Sequence, residues 1–302
     1  MTPGAGSHPS TGGGHAPLDR LSLNQITTRG WSLPEAIDGC TRAGITAIGL
    51  WRDKIAEVGL NAAVALVRAP DCVCPASVVP GFFVVADAEE RTRRRADNRR
   101  AVDETAVLGA DTLVLVCGGQ GDHSLGSARE MVGDGIADHA AYAATRGVRL
   151  AIEPIHPMYC ADRSVIVTLS QALDVAEAFP PVQVGVTVDT FHVWWDPEVK
   201  TQIARASGRI AGFQVCDWLV PLPDVLLGRG LMGDGLIDLR GLRDAVDAAG
   251  YDGPIEVEIF NRAIWDRPGD EVVAAVKERF VRYVGWRRLP SLPLTDDGAN
   301  RH

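Results

Sequence analysis

The chain has 302 residues, of which 46% are hydrophobic and 23% charged; that is globular composition, long enough for two average domains or one large α/β barrel. Acidic side chains outnumber basic ones 39 to 30, for a formal net charge of −9, which argues against nucleic acid or an anionic membrane surface as a partner. No run approaches the roughly 18 apolar residues of a membrane span. Residues 1–17 lack the apolar stretch of a signal peptide and the six cysteines match no zinc spacing, so the expected setting is the reducing cytoplasm.

In chain order, residues 1–17 are expected to be a disordered tail, 18–288 a single catalytic domain and 289–302 a polar C-terminal tail. Within the domain, short apolar runs alternate with longer helical patterns. The predicted strands are Leu21–Gln25, Ala47–Trp51, Val73–Val79, Thr112–Cys117, Arg149–Glu153, Gln183–Asp189, Ile210–Cys216 and Ile255–Ile259. Each is bounded by Gly, Asp, Arg or Pro, as expected of parallel strands buried on both faces. Ser32-Leu33-Pro34-Glu35 and Asp196-Pro197-Glu198 read as helix starts, a cap followed by Pro and an acid in the first turn. Gly44, Gly109, Gly147 and Gly250 stand where helices should stop. Eight strand–helix units predict a closed (β/α)8 TIM barrel. A doubly wound open sheet is the structural alternative, but no G-x-G-x-x-G follows an early strand; Gly118-Gly119-Gln120-Gly121 after the fourth is a weak signal.

Chemistry in such a barrel sits at the C-terminal ends of the strands, and here those ends carry acids and imidazoles. The fifth run ends at Glu153 with His156 three residues on, and the sixth ends at Asp189 with His192 beyond it. The seventh carries Gln214 and then Asp217, and the eighth carries Glu256 and Glu258, two apart and therefore on one face. Any one such acid could simply cap a helix. Glu153 precedes Pro154, which keeps it extended and weakens that reading, and Asp189 follows a largely apolar run where an unpaired charge is costly. Several carboxylates converging in one barrel repel one another, and a divalent cation is the ordinary remedy. His156 is either a base over the metal or a loop histidine bonded to backbone. His192 either contacts substrate or orients Asp189. Asp217 and Arg229 either organise the loop after the seventh strand or meet a substrate oxygen. Trp51 and Trp218 are candidate walls for a sugar ring, with core packing the plain alternative.

The segments IEPIHP, VDTFHVWW, FQVCDW, RGLMGDGLIDL and YDGPIEVEIF resemble the xylose-isomerase-like barrel superfamily, and the similarity spans roughly residues 20–285. That superfamily includes sugar isomerases and epimerases, inosose dehydratases and type IV AP endonucleases. The resemblance implies metal ligands at Glu153, Asp189, Gln214 and Glu258, with Glu256 as a supporting carboxylate deeper in the barrel. The family usually has His where this chain has Gln214. A glutamine carbonyl is a hard oxygen donor, so the change favours Mn²⁺, with Mg²⁺ as the alternative, over Zn²⁺.

Such a site polarises a carbonyl while a nearby group removes the adjacent C–H proton. Reprotonation then gives an isomerase or epimerase, and loss of a β-leaving group gives a lyase. Within the superfamily, E-P-I-H-P with V-C-D-W and M-G-D-G is most similar to the branch holding the catalytic subunits of C-glycoside deglycosidases. This implies cleavage of the C-glycosidic bond of a 3-keto C-glycoside, His156, Glu153 and Glu258 as catalytic residues, and a small partner subunit in a hetero-oligomer. His192, Asp217, Arg229 and Trp51 would then meet the sugar or glycoside. A keto-sugar isomerase or epimerase is the alternative, and a non-catalytic sugar-binding barrel a weaker one, since it would not need three acids at its mouth.

Overall fold

The computed structural model describes residues 18–68, 76–80 and 82–285, and both tails lie outside these. Eight of the apolar runs form parallel strands: β1 Leu21–Asn24, β2 Ala47–Trp51, β3 Ala76–Pro80, β4 Thr112–Val116, β5 Arg149–Ile152, β6 Val184–Asp189, β7 Ile210–Val215 and β8 Ile255–Val257. Each strand pairs with its neighbours in sequence order, and β1 pairs with both β2 and β8, so the ring closes into a barrel. Several strands end one or two residues before the sequence pattern predicts. Glu153 and Glu258 therefore stand just past β5 and β8. Residues 73–75 of the third predicted strand lie outside the described residues.

Alternation along the strands sorts the residues by size. One set points outward, including Leu21, Leu23, Ile48, Leu50, Leu113 and Leu115, and these are buried against the helices. The inward set is small or polar: Ser22, Gly49, Ala151, Gly185, Thr187 and Gly212 among others. The apolar core therefore lies between sheet and helices rather than on the barrel axis. The register slips between β6 and β7, where Val186 faces Ile210 but Thr187 faces Gly212. Ala211 is the extra residue of this β-bulge.

The helix signals act as local chemistry predicts. Ser32 and Glu35 form a reciprocal capping box on the helix Leu33–Ala43, and Gly44 ends it at φ +69°, a left-handed conformation that a side chain would strain. A feature absent from the sequence reading is a two-stranded antiparallel ribbon, Asp217–Trp218 with Arg229–Gly230. It folds the segment after β7 back over the mouth and delivers Arg229 there.

Candidate metal centre

Four acids converge at the C-terminal mouth, and all four are buried: Glu153, Asp189, Glu256 and Glu258. Asp189 ends β6 and starts the short helix Thr190–Val193, where its Oδ1 accepts the Phe191 N–H at 2.8 Å. Glu153 caps no helix among the described residues. Glu256 lies one step deeper, where its Oε1 accepts Asn24 Nδ2 at 2.7 Å and Gln214 Nε2 at 2.9 Å. A glycine makes that position available: a Cβ on Gly49 would lie 1.9 Å from Glu256 Oε2. Glu258 Oε1 accepts the same Asn24 amide at 3.2 Å.

Among the described residues, one cation is paired with two of these acids. Arg229 Nη1 donates to Asp189 Oδ2 at 2.9 Å and to Glu258 Oε2 at 2.8 Å. Its guanidinium lies over the Phe191 ring at 4.7 Å and the Phe260 ring at 4.9 Å, so it is held between two aromatic faces. Of the two readings open for Arg229, the structure shows it paired with the carboxylates that the resemblance assigns to metal.

Crowding these carboxyls into a buried site raises their affinity for protons. Burial and the neighbouring Glu258 and Asp189 push the Glu153 carboxyl well above its usual range. Burial pushes Glu258 up to about 8, with Arg229 pulling down and Asp189 and Glu256 pushing up. Burial raises Asp189 as well, against the pull of Arg229 and the Phe191 N–H.

Glu153, Asp189 and His192 each bring a donor atom within 4.8 Å of the others. Gln214 adds an orphan: its Oε1 is buried without a hydrogen-bond partner among the described residues. Surplus carboxylates, an unpartnered amide carbonyl and one imidazole make a mostly oxygen donor set, which suits a hard divalent cation. The residues present therefore fit a metal.

The two histidines are linked. His192 Nδ1 accepts the backbone N–H of His156 at 3.2 Å, and its Nε2 lies 3.0 Å from Arg229 Nη2 and 3.6 Å from Asp189 Oδ2. Burial, then the Arg229 charge, hold its pKa well below the ordinary value, so the ring is neutral. His156 Nδ1 accepts the Met158 N–H at 3.2 Å, capping a short 3₁₀ turn, and burial lowers its pKa to about 4. Its ring lies 4.9 Å from Trp218 and 5.6 Å from Trp195, forming an aromatic wall.

Asp217 stands apart from this cluster. Its Oδ1 accepts the Trp218 and Ile237 N–H groups and its Oδ2 the Gly233 N–H, at 2.8–3.0 Å. Both oxygens serve the loop after β7, the first of the two readings open for Asp217. Trp51 is tied by its Nε1 to Asn24 Oδ1 at 2.7 Å and edges against Phe260 at 5.6 Å. Sequence reasoning missed Asn24, Phe191 and Phe260. Asn24 alone left a signal, a lone amide at the C-terminal end of an apolar strand.

A family model described as xylose isomerase-like TIM barrel matches residues 37–281. The chain belongs to that family. Among solved structures, protein SMc04130 from Sinorhizobium meliloti 1021 is 49% identical, with a TM-score of 0.86 over 88% of this chain and 98% of that one. The IolI protein, solved with a zinc atom, is 19% identical with a TM-score of 0.76 over 88% of this chain and 98% of its own, a likeness of fold alone. A 3-dehydroshikimate dehydratase from Pseudomonas aeruginosa PAO1 is 32% identical over 176 residues, 57% of this chain and 26% of that protein. The xylose isomerase-like chain thus spans about a quarter of the length of that relative. No helix among the described residues is long and apolar enough to cross a membrane.

Proposed function

We propose that this chain is a divalent-metal-dependent lyase that removes a proton beside a carbonyl and expels a β-leaving group from a small polyhydroxylated ketone. The observation that carries the reading is the excess of acids over Arg229 around the orphaned Gln214 carbonyl. Glu153, Asp189, Gln214 and Glu258 are the proposed ligands, with His192 close enough to join or orient them. Mn²⁺ is the favoured ion and Mg²⁺ the alternative. When bound, the ion polarises the substrate carbonyl and acidifies the neighbouring C–H.

The residues divide the remaining work. Glu153 or Glu258, each a carboxylate when the ion is bound, accepts the α-proton. The C–H electron pair forms the new double bond while the electrons of the β bond leave with the departing group, which takes up the proton that the carboxylate has just accepted. His156 was expected as the base. Its Nδ1 lone pair is engaged by Met158, so in the neutral ring Nε2 bears the hydrogen and acts as a donor to a substrate oxygen. Loss of one such donor costs on the order of 10²–10³ in rate. His156→Ala should fall by that much with metal content unchanged, as measured by turnover and metal analysis on the same preparation. A variant within a few-fold of wild type returns His156 to a purely structural role.

The leaving group is the finer question. Similarity to a dehydratase favours a hydroxyl that leaves as water. The E-P-I-H-P and V-C-D-W segments favour an aromatic carbon, as in a 3-keto C-glycoside, with a small partner subunit completing the mouth. The metal-loaded protein should be incubated with 3-dehydroshikimate, a 3-keto C-glycoside and a simple ketose, with and without EDTA. Release of water or aglycone that EDTA abolishes and Mn²⁺ restores supports the lyase. Solvent deuterium entering the ketose with no elimination from the other two makes the chain an isomerase or epimerase, and full activity after metal removal overturns the metal assignment.

A further inference from the structure

Asn24 does more than its place in the chain requires. It ends β1 and caps the 3₁₀ turn Gln25–Thr28, where its Oδ1 accepts the Ile26 N–H at 3.0 Å. A cap uses only an acceptor, and Asp or Ser would serve as well. What asparagine adds is a pair of N–H donors on the other side of the carboxamide. Both are spent on acids: Nδ2 lies 2.7 Å from Glu256 Oε1 and 3.2 Å from Glu258 Oε1. Two carboxylates so close repel each other, and the shared carboxamide lies between them.

The amide cannot turn over. Two groups that can only donate, the Ile26 N–H and the Trp51 indole N–H at 2.7 Å, both meet Oδ1. A reversed carboxamide would set donor against donor there and oxygen against two buried carboxyls on the far side. Trp51 is itself tied down, since its backbone N–H donates to Gln25 Oε1 at 3.1 Å. Each bond in this chain therefore runs one way, from indole through amide to acid. Glu258 is met from two sides: Asn24 donates to Oε1, and Arg229 Nη1 donates to Oε2 at 2.8 Å. Thr27 fixes the backbone between them, accepting the Ile259 N–H at 3.0 Å and donating to the Val257 carbonyl at 2.9 Å. The two arms meet again at Trp51, whose ring edges against Phe260, the same ring that lies 4.9 Å from the Arg229 guanidinium. One tryptophan braces both of the donors that hold Glu258.

We propose that Asn24 is a positioning residue, anchored by Trp51, which sets the direction in which Glu258 holds its carboxyl at the mouth. Its consequence for metal binding rests on the reading proposed above; its geometry does not. Outer groups that orient a metal's ligands are typically worth 10–100-fold in affinity, and Asn24 and Arg229 divide that task for the two oxygens of Glu258.

Asn24→Asp separates positioning from capping. Aspartate caps as well as asparagine and still accepts from Ile26 and Trp51, but it sets an oxygen where the two acids need a hydrogen. In a crystal structure of the metal-free full chain, the Glu258 carboxyl should turn away from residue 24. Calorimetric titration with Mn²⁺ should show affinity weakened on the order of 10–100-fold. Trp51→Phe keeps a ring against Phe260 and removes only the indole N–H, so both readouts should move less and in the same direction; this variant decides the matter where Asn24→Asp does not fold. If Asn24 is only a cap, Glu258 stays in place and the added carboxylate leaves Mn²⁺ affinity unchanged or tighter. An unmoved Glu258 overturns the proposal. A Glu258 that turns while Mn²⁺ affinity is unchanged upholds the positioning and removes Glu258 from the proposed ligands, so the two readings fail separately.

Discussion

Two buried charge clusters lie at opposite ends of this barrel, and they obey the same physics with opposite outcomes. At the N-terminal end, Arg20 and Arg243 hold Asp247 between them at 2.7 and 2.9 Å, and Arg20 also donates to the carbonyls of Gly253 and Tyr251. Burial alone would raise Asp247, yet the bonds and charges of the two arginines keep it below the usual carboxylate range. At the mouth, Arg229 is paired with two of four buried acids, Asp189 and Glu258, and Glu153 and Glu258 are driven upward. Stoichiometry is the difference. Among the described residues, two cations flank one acid at the N-terminal end, whereas at the mouth one cation stands among four acids.

Removing a cation from each end tests that contrast most severely. In metal-free protein, Arg229→Met should cost about 3–5 kcal/mol, the usual penalty for breaking a buried ion pair. Arg20→Met should cost less, because Arg243 still faces Asp247. A divalent cation should restore much of the loss at the mouth and none at the other end. Denaturant unfolding with EDTA and then with Mn²⁺ measures both. Equal rescue at the two ends, or rescue at neither, would remove the distinction.

The pH dependence of stability separates the ends next. A carboxyl whose folded pKa is raised binds its proton more tightly than the unfolded chain does, so its stabilising effect is complete at low pH and is lost as pH rises. For Glu258 the window runs from the ordinary value of 4.5 to about 8. Metal-free protein should therefore lose stability across that window, and bound metal, which requires the carboxylates, should flatten or reverse the slope. Asp247, whose pKa is lowered, contributes with the opposite sign and only at more acid pH. Urea midpoints from pH 5 to 8, with and without metal, check this; a flat metal-free profile would mean that the mouth is already neutralised.

The smallest expected effect concerns one proposed ligand. Gln214→His should keep the fold while shifting ion preference from Mn²⁺ towards Zn²⁺, since imidazole is a softer donor than an amide carbonyl. Competition titration of the two ions against each protein reads this directly. An unchanged order of preference would place position 214 outside the coordination shell.

Much of this protein is written locally. Alternation of short apolar runs with capped helices sets the parallel barrel, because a strand buried on both faces and a helix with one apolar stripe each carry their period in the sequence. The placement of Glu153, Asp189, Gln214, Glu256 and Glu258 at strand ends follows from that register alone. Contacts between distant segments leave no such period. Arg229 lies 40 residues from Asp189 and 29 from Glu258 in sequence, and the ribbon that brings it between Phe191 and Phe260 emerges only when the segment after β7 folds over the mouth. The same holds for Asp217, whose oxygens meet backbone N–H groups 16 and 20 residues away. Sequence determined which groups could carry charge to the mouth; tertiary packing decided how many cations would meet them, because burial and pairing, not residue type, set the final balance.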